Sequence, residues 1–355
     1  MRVSVVFDTP QVRWTPDDHR HQMEQELAGA EPHEPEMEYQ VAGALLERGH
    51  DVLLVGVHDD PRVVPDHCAA WKPDVVVNCA ESFLGDGALD YVCATLLEAC
   101  GHHYTGSSPL ALQVTRDKAM SKKILAYHGI KVSPFVVYRT REKVTEAPPL
   151  TFPLIVKPLA ADASAGIAHA SVVDDVAALA ERVAFVHERF RQPALVEQFI
   201  SGRELYAGIL GNDERLQILP LTELVFDKEK NEPEERIATQ AAKWTDAYRK
   251  RRGIRTVFAR PVSAVARERI EAACRAAGRA LWLRDYARVD IRLTDDDEVW
   301  VLEANANPFI SKGHEMANAA AKIGLSYQDF IEHIVQEALA RAERDGTRMR
   351  SRMTA

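Results

Sequence analysis

The sequence predicts three units in series: an open α/β domain over residues 1–112, an α+β lobe over 113–200, and a second α+β lobe over 201–345, followed by a flexible tail over 346–355. Three observations predict this. Short apolar runs alternate with helix-like stretches through the first unit. The pattern then changes to strands grouped around single helices. Near the end, two apolar strands interrupted by acidic residues read as a hairpin.

In the first unit, residues 3–7, 50–57 and 73–80 have the length and composition of buried strands, and a helix-like stretch over 39–48 stops at Gly49. That is a βαβ rhythm. A second helical stretch over 88–100 stops at Gly101 and leads into 102–106. The polar, acidic, proline-bearing segment 13–38 reads as a mobile loop, and its His19 and His21 as solvated rather than as metal ligands. Helical periodicity resumes over 108–128. Strands over 132–138 and 152–158, a helix over 174–190 and a strand over 194–200 make the first lobe. The second contains strands over 204–210 and 216–224, a charged stretch over 226–260, a helix over 263–283 and a hairpin over 287–305. Beyond Ala340 the arginine-rich chain loses apolar periodicity and is expected to fray.

Bulk properties narrow the function. The 355 residues are 46% hydrophobic and 27% charged, the range of an ordinary globular protein. The longest apolar runs, such as 52–57 and 75–77, fall short of the roughly 20 residues a membrane helix needs. The start of the chain has no signal-peptide pattern, so a cytoplasmic location and no membrane partner are expected. The five cysteines show no paired short spacing and read as free thiols. A net charge of -9 lacks the basic footprint that nucleic acid requires.

The hairpin carries the chemistry. In ARVDIRL, Ala287, Val289, Ile291 and Leu293 fall on one face of a strand, and Arg288, Asp290 and Arg292 on the other. With Asp296 and Asp297 at the tip, Glu303 lies opposite Asp290 and Asn305 opposite Arg288. Two carboxylates at that spacing repel unless a cation lies between them, and hard oxygen ligands suit Mg²⁺ shared with nucleotide phosphates. Elsewhere, Lys157 ends the apolar run FPLIVKP ahead of the small-residue loop LAADASAGI, where a lysine and backbone N–H groups can meet phosphate. Lys118 lies in TRDKAMSKK. In VEQFISGREL, Glu197 and Glu204 bracket a turn whose backbone can serve an adenine base, and Glu204 can accept from ribose hydroxyls.

Taken in order, NCAESFLGDGALD with YTGSSP, the Asp117–Lys118 pair, VKP with its serine/glycine loop, VEQFISGREL, RVDIRL and LEANANP resemble the ATP-grasp superfamily, in its D-alanine–D-alanine ligase-like branch, from about Pro73 to Phe330. The resemblance implies an N-terminal Rossmann-like (pre-ATP-grasp) domain followed by the two lobes of an ATP-grasp fold. It implies ATP with Lys118 and Lys157 on its phosphates, Glu197 and the Phe199 backbone at the adenine, and Glu204 at the ribose. Asp290, Glu303 and Asn305 look like the family's ligands for Mg²⁺, with Mn²⁺ able to replace it. Arg288 matches the arginine that stabilises the reacting phosphate and oxyanion, and Lys243 matches the γ-phosphate lysine, with Lys228 as competitor. Ser164 belongs to the catalytic loop.

The implied chemistry is phosphorylation of a small-molecule carboxylate, then attack by an amine, with loops 160–166 and 226–260 as lids and a homodimer as the assembly. A phosphotransferase without ligation, or an ATP-binding module without catalysis, would keep the same nucleotide residues. Members that use D-alanine have consecutive serines in the loop, a tyrosine after the γ-phosphate lysine and a glycine after the final proline. Here Ala163 precedes Ser164, Trp244 follows Lys243 and Phe309 follows Pro308. The expected substrates are therefore amino acids or peptide-like molecules other than a pair of D-alanines, with Glu81, Lys312 and His314 as substrate contacts. The run Arg249–Arg252 reads as the wet face of a short helix.

Overall fold

Strand β1 (Arg2–Asp8) is the middle of a parallel sheet, between β2 (Asp51–Val57) and β3 (Val75–Asn78). The computed structural model describes residues 1–353 apart from 10–35, 162–163, 228 and 232–234, so the reading of the 13–38 insert, with His19 and His21, lies almost wholly outside the described residues. The sheet is buried on both faces, which explains strands that are apolar almost throughout. Val3, Val5 and Phe7 join one core with Leu54 and Val77, while Val6 joins another with Val55 and Val76. Helix α1 (Met37–Glu47) covers the first face; α2 (Val63–Trp71) and α3 (Tyr91–Ala99) contribute to the second. All five cysteines are free, and four are buried.

The stretch expected to form one helix over 108–128 is two, α4 (Pro109–Arg116) and α5 (Lys118–Tyr127). Asp117 has a non-helical backbone, φ −79° and ψ 95°, and its carboxylate accepts from the Met120 N–H at 2.8 Å. A capping aspartate competes with helix continuation and starts a new helix instead. This makes Lys118 the first residue of α5, at the corner of the chain.

A four-stranded antiparallel sheet follows, in the order β4 (Phe135–Tyr138), β7 (Ala194–Gln198), β5 (Leu154–Pro158), β6 (Val172–Val173). Helix α6 (Val176–Phe190) packs Leu179, Val183 and Val186 against it, three positions at helical spacing. The strand expected over 132–138 is split between two sheets. Val132 bridges Val301, and Pro134, which has no N–H to give a ladder, separates it from β4.

The last sheet has the order β11-β10-β8-β12-β13, built from β8 (Arg203–Leu210), β10 (Thr222–Val225), β11 (Arg255–Phe258), β12 (Tyr286–Leu293) and β13 (Val299–Asn305), with the two-residue β9 (Gln217–Ile218) on β8. The charged stretch 226–260 thus hides an edge strand as well as the short helices α7 (Gln240–Trp244) and α8 (Asp246–Arg252). Helix α9 (Ala264–Ala280) covers one face through Ile270, Cys274 and Ala277. The chain ends in α10 (Glu315–Lys322) and α11 (Tyr327–Met353). Phe330, Ile331, Ile334 and Val335 of α11 return to close the first core of the parallel sheet.

Beyond Ala340, where fraying is expected, the backbone of this helix continues to Met353. Its Arg341 donates to the buried Asp285 at 2.9 and 3.1 Å and to the Tyr104 carbonyl at 2.7 Å, so a polar residue anchors where apolar periodicity has stopped. No helix among the described residues is long and apolar enough to cross a membrane.

Glu223 of β10 is nearly fully buried and receives Arg203 and Arg260, each at 2.7 Å. Although burial raises a carboxyl, these hydrogen bonds hold it down at about 2. A group depressed on folding stabilises the protein above its unfolded value and loses that contribution as pH falls through the folded one. Glu223→Gln is therefore expected to cost about 3 kcal/mol at neutral pH and to flatten the loss of stability between about pH 4.5 and 2. Melting temperatures of both proteins across that window test this; parallel profiles would contradict it.

Candidate active site

Strict alternation along β13 would put Val299, Val301, Glu303 and Asn305 on one face. The structure separates them. Arg288 pairs with Asn305 and Asp290 with Glu303, as the simplest register predicts, but Ile291 then pairs with Val301, leaving Leu302 as an extra residue in a β-bulge. Val299 and Val301 consequently face the core with Ile291 and Leu293, while Glu303 and Asn305 face the cleft with Asp290 and Arg288. The turn also shifts by one residue from the expected Asp296–Asp297 tip. Thr294 N–H bonds the Glu298 carbonyl, and Asp297 takes a left-handed conformation, φ 61°. A one-residue shift at the tip and one inserted residue compensate, so the carboxylate pair is unchanged.

The polar face of this sheet reads in lateral rows. One row crosses five strands through Phe258, Thr222, Tyr206, Asp290 and Glu303; its neighbour runs through Gly208, Arg288 and Asn305. Arg288 forks onto Asp290 at 2.7 and 3.0 Å and lies 5.3 Å over the Tyr206 ring. Lys118, placed by the α4–α5 corner, reaches Glu303 at 3.3 Å and the Ala161 carbonyl at 2.8 Å. Lys243 lies 5.4 Å from the Tyr206 ring.

The two carboxylates respond differently to this setting. Burial raises the Asp290 carboxyl, and Arg288 opposes that only in part. Burial also acts on Glu303, but Lys118, Lys243, Lys157 and Arg288 together hold it well below the usual carboxylate range. Arg288 is held further in its charged form by Asp290 and by Glu315 against the pull of burial. Four cations around two carboxylates leave an excess of positive charge suited to a polyphosphate.

The donor set fits a hard divalent ion. No group of three or more His, Cys, Asp or Glu side chains placed to hold a metal occurs among the described residues, so two carboxylates and an amide are the available ligands. Arg288 occupies two of the roughly four acceptor positions of Asp290, and the buried Asn305 Nδ2 has no hydrogen-bond partner among the described residues.

Between the two antiparallel sheets lies a narrow pocket of about 60 Å³, lined by Lys157, Ser164, Glu197, Phe199, Glu204 and Arg292. Glu197, expected at the adenine, is gripped by Lys157 at 2.6 Å and by Lys122 at 2.7 Å. Burial raises its carboxyl, and the two lysines lower it further than burial raises it, so it stays charged. Glu204 receives Arg292 at 2.8 Å and the Tyr206 hydroxyl at 3.0 Å. The Phe199 N–H is already committed to the Pro153 carbonyl at 2.9 Å, which leaves the carbonyl side of that backbone for a base. Lys122 and Tyr206 escaped the sequence reading, which placed Arg292 on the chemical face without its partner Glu204. A signal for Lys122 was present: it lies four residues after Lys118, on the same helix face.

Ser164 is buried with φ 60°, in the loop behind Lys157. Just past the first expected lid, 160–166, the chain meets the second: Gln240 N–H bonds the Ile167 carbonyl at 3.1 Å, and the His169 ring meets the Tyr248 hydroxyl at 2.6 Å. Lys243 follows directly on α7; Lys228 lies outside the described residues.

A larger cleft of about 1440 Å³ opens beside this pocket, and Glu81, Lys243, Arg288, Asn305 and His314 all line it. Phe309 and His314 stack edge to face at 4.7 Å. Lys312 is the exception: its side chain is exposed outside the cleft, and its N–H is tied to Gln40 Oε1 at 2.7 Å, because Gly313 turns the chain between it and His314. YTGSSP and LEANANP meet at Gly106, φ 89°, where a Cβ would lie 2.5 Å from Asn307 Oδ1, and Ser107 N–H donates to that same oxygen at 2.9 Å. Only glycine allows this approach.

A family model described as the D-ala D-ala ligase C-terminus matches residues 124–336. An uncharacterized protein, y4sG, of Sinorhizobium fredii is 33% identical over 303 residues, covering 84% of this chain and 86% of that protein. A D-alanine–D-alanine ligase of Gluconobacter oxydans is 34% identical over 301 residues, covering 84% of this chain and 91% of the ligase. The crystal structure of a Bacillus anthracis D-alanine–D-alanine ligase complexed with ATP superposes with a TM-score of 0.72 over 97% of this chain and 99% of its own, at 20% identity.

Proposed function

Because the chain belongs to the D-ala D-ala ligase family and is an ATP-grasp, carbon–nitrogen bond-forming ligase, we propose that it uses ATP and Mg²⁺ to join a carboxylate to an amine through an acyl phosphate, on amino acid or peptide-like substrates other than two D-alanines. The observation that carries the reading is the convergence of Lys118, Lys243 and Arg288 on the Asp290–Glu303 pair at the junction of pocket and cleft. Charge of that sign and density stabilises a phosphoryl group in transfer, where positioning and electrostatics supply most of the rate.

Lys118 and Lys157 bind the nucleotide phosphates, Glu197 keeps Lys157 in place, and Glu204 with the Phe199 carbonyl orients the nucleoside. Asp290, Glu303 and Asn305 would hold Mg²⁺, which when bound offsets phosphate charge and polarises the γ-phosphoryl group. The substrate carboxylate attacks the γ-phosphorus and ADP leaves. The amine nitrogen then attacks the acyl carbon, phosphate departs, and the nitrogen gives up its proton. Arg288 turns from Asp290 toward the negative charge that develops in both steps, and Lys243 reaches the transferring group. The loops around Ser164 and Tyr248 keep water from the acyl phosphate.

Two features support substrates other than a D-alanine pair. Phe309 and His314 stack across the turn after Pro308, and the acidic Glu315 lines the cleft next to them. Hydroxylamine trapping tests the reaction. Incubation with ATP, Mg²⁺ and mixed L- and D-amino acids and dipeptides is expected to yield a carboxylate-dependent hydroxamate together with ADP. A stable phosphorylated product instead would make the protein a phosphotransferase and end the ligase reading.

A further inference from the structure

The cleft does not stop at the reacting centre. Its floor continues along the lateral row from Asp290 across Tyr206 and Thr222 to Phe258, three strand spacings or about 14 Å. The far end is basic. Lys322, at the last turn of α10, lies 5.2 Å over the Phe258 ring, and Arg249 is fixed by the Ala242 and Lys243 carbonyls, each at 3.2 Å. Neither cation has a carboxylate partner among the described residues, and both line the cleft. The near end is the reacting centre, where Glu315, at the start of the same helix, lines the cleft together with Arg288 and Lys243.

Two cations without a carboxylate partner about 14 Å from the reacting atoms match a substrate that reacts through an amine at one end and carries a carboxylate at the other. A single small amino acid spans only a fraction of it. Building on the ligase reading above, we propose that the amine substrate is a short peptide with a free C-terminal carboxylate, lying over Tyr206 and Thr222, its amino group beside Arg288 and its carboxylate between Arg249 and Lys322. At ~3.4 Å per extended residue the floor accommodates up to about four residues. The neutral middle of the floor sets little sequence preference, while the two ends set length and charge.

The test compares mixed-sequence peptide pools, from dipeptides up to about four residues, with single amino acids as amine substrates; each pool is supplied as free acid and as C-terminal amide. ADP release and product mass are read with the full chain. Peptide acids are expected to exceed single amino acids in kcat/KM, and amidation to lower that value roughly tenfold, the size of one charge-assisted hydrogen bond. Lys322→Glu, an exposed position away from the phosphates, is expected to bring the acid-to-amide ratio close to one. Amino acids preferred over every peptide pool, or an acid-to-amide ratio near one in the unaltered protein, would overturn the proposal and leave the ligase reading standing. ADP release with no mixture at all would sink both.

Discussion

Asp290→Asn is expected to lower ATP turnover about a thousandfold. The substitution keeps the size of the side chain and one hydrogen bond to Arg288, but it removes the charge that holds the guanidinium in its fork and that is proposed to share a divalent ion with Glu303. Loss of one preorganised electrostatic element costs on the order of 10²–10³ in rate, and loss of ion affinity adds to it. Glu303→Gln should fall by a similar factor. The double substitution should fall little further, because groups acting as a unit are not additive. ADP release measured against Mg²⁺ concentration decides this: the single variants should need far more metal for any residual rate. A variant retaining a tenth of the parent turnover at ordinary Mg²⁺ would remove Asp290 from the proposed metal site.

The second large effect falls on the fold and on nucleotide binding together. Glu197 is the shared counter-ion of Lys122 and Lys157, and it and Lys122 are almost wholly buried. Glu197→Gln leaves two ammonium groups facing each other without a negative partner, which costs about 3–5 kcal/mol when such a group is broken from one side. The variant should melt well below the parent and bind ATP weakly, since Lys157 loses its anchor. Lys122→Met added to it removes one uncompensated charge and should recover much of the stability. ATP affinity should recover less, because the carboxylate that aims Lys157 is still missing. Calorimetric melting and ATP titration on the three proteins separate the effects; a single variant as stable as the parent would contradict the account of this triad.

Much of the architecture was legible because local physics set it. Apolar runs without alternation announced a sheet buried on both faces, and acids interrupting the apolar strands of the hairpin announced a chemical face on β12. Asp117 shows the limit within a single residue. Its motif marked Lys118 for phosphate, yet the split of one expected helix into α4 and α5, which carries that lysine to Glu303, depends on how the corner packs. Charge density concealed β11, since an edge strand needs few apolar residues and its neighbours are lysines and arginines.

The carboxylate pair itself divides the same way. Sequence alone determined that Asp290, Glu303, Asn305 and Arg288 belong on adjacent strands, because alternation and a turn of acidic residues leave few registers. Only the tertiary structure decided that Val301 and Glu303, two residues apart, face opposite sides. The bulge at Leu302 is set where Val301 N–H bonds the Lys131 carbonyl on the far side of the strand, and that partner lies far away in sequence. The same holds for Lys122 with Glu197, for Arg341 with Asp285 and for the row from Asp290 to Phe258. Each joins segments that no local pattern relates, and burial makes each pairing necessary, since a buried charge or a buried backbone donor must find its partner wherever the packed chain supplies one.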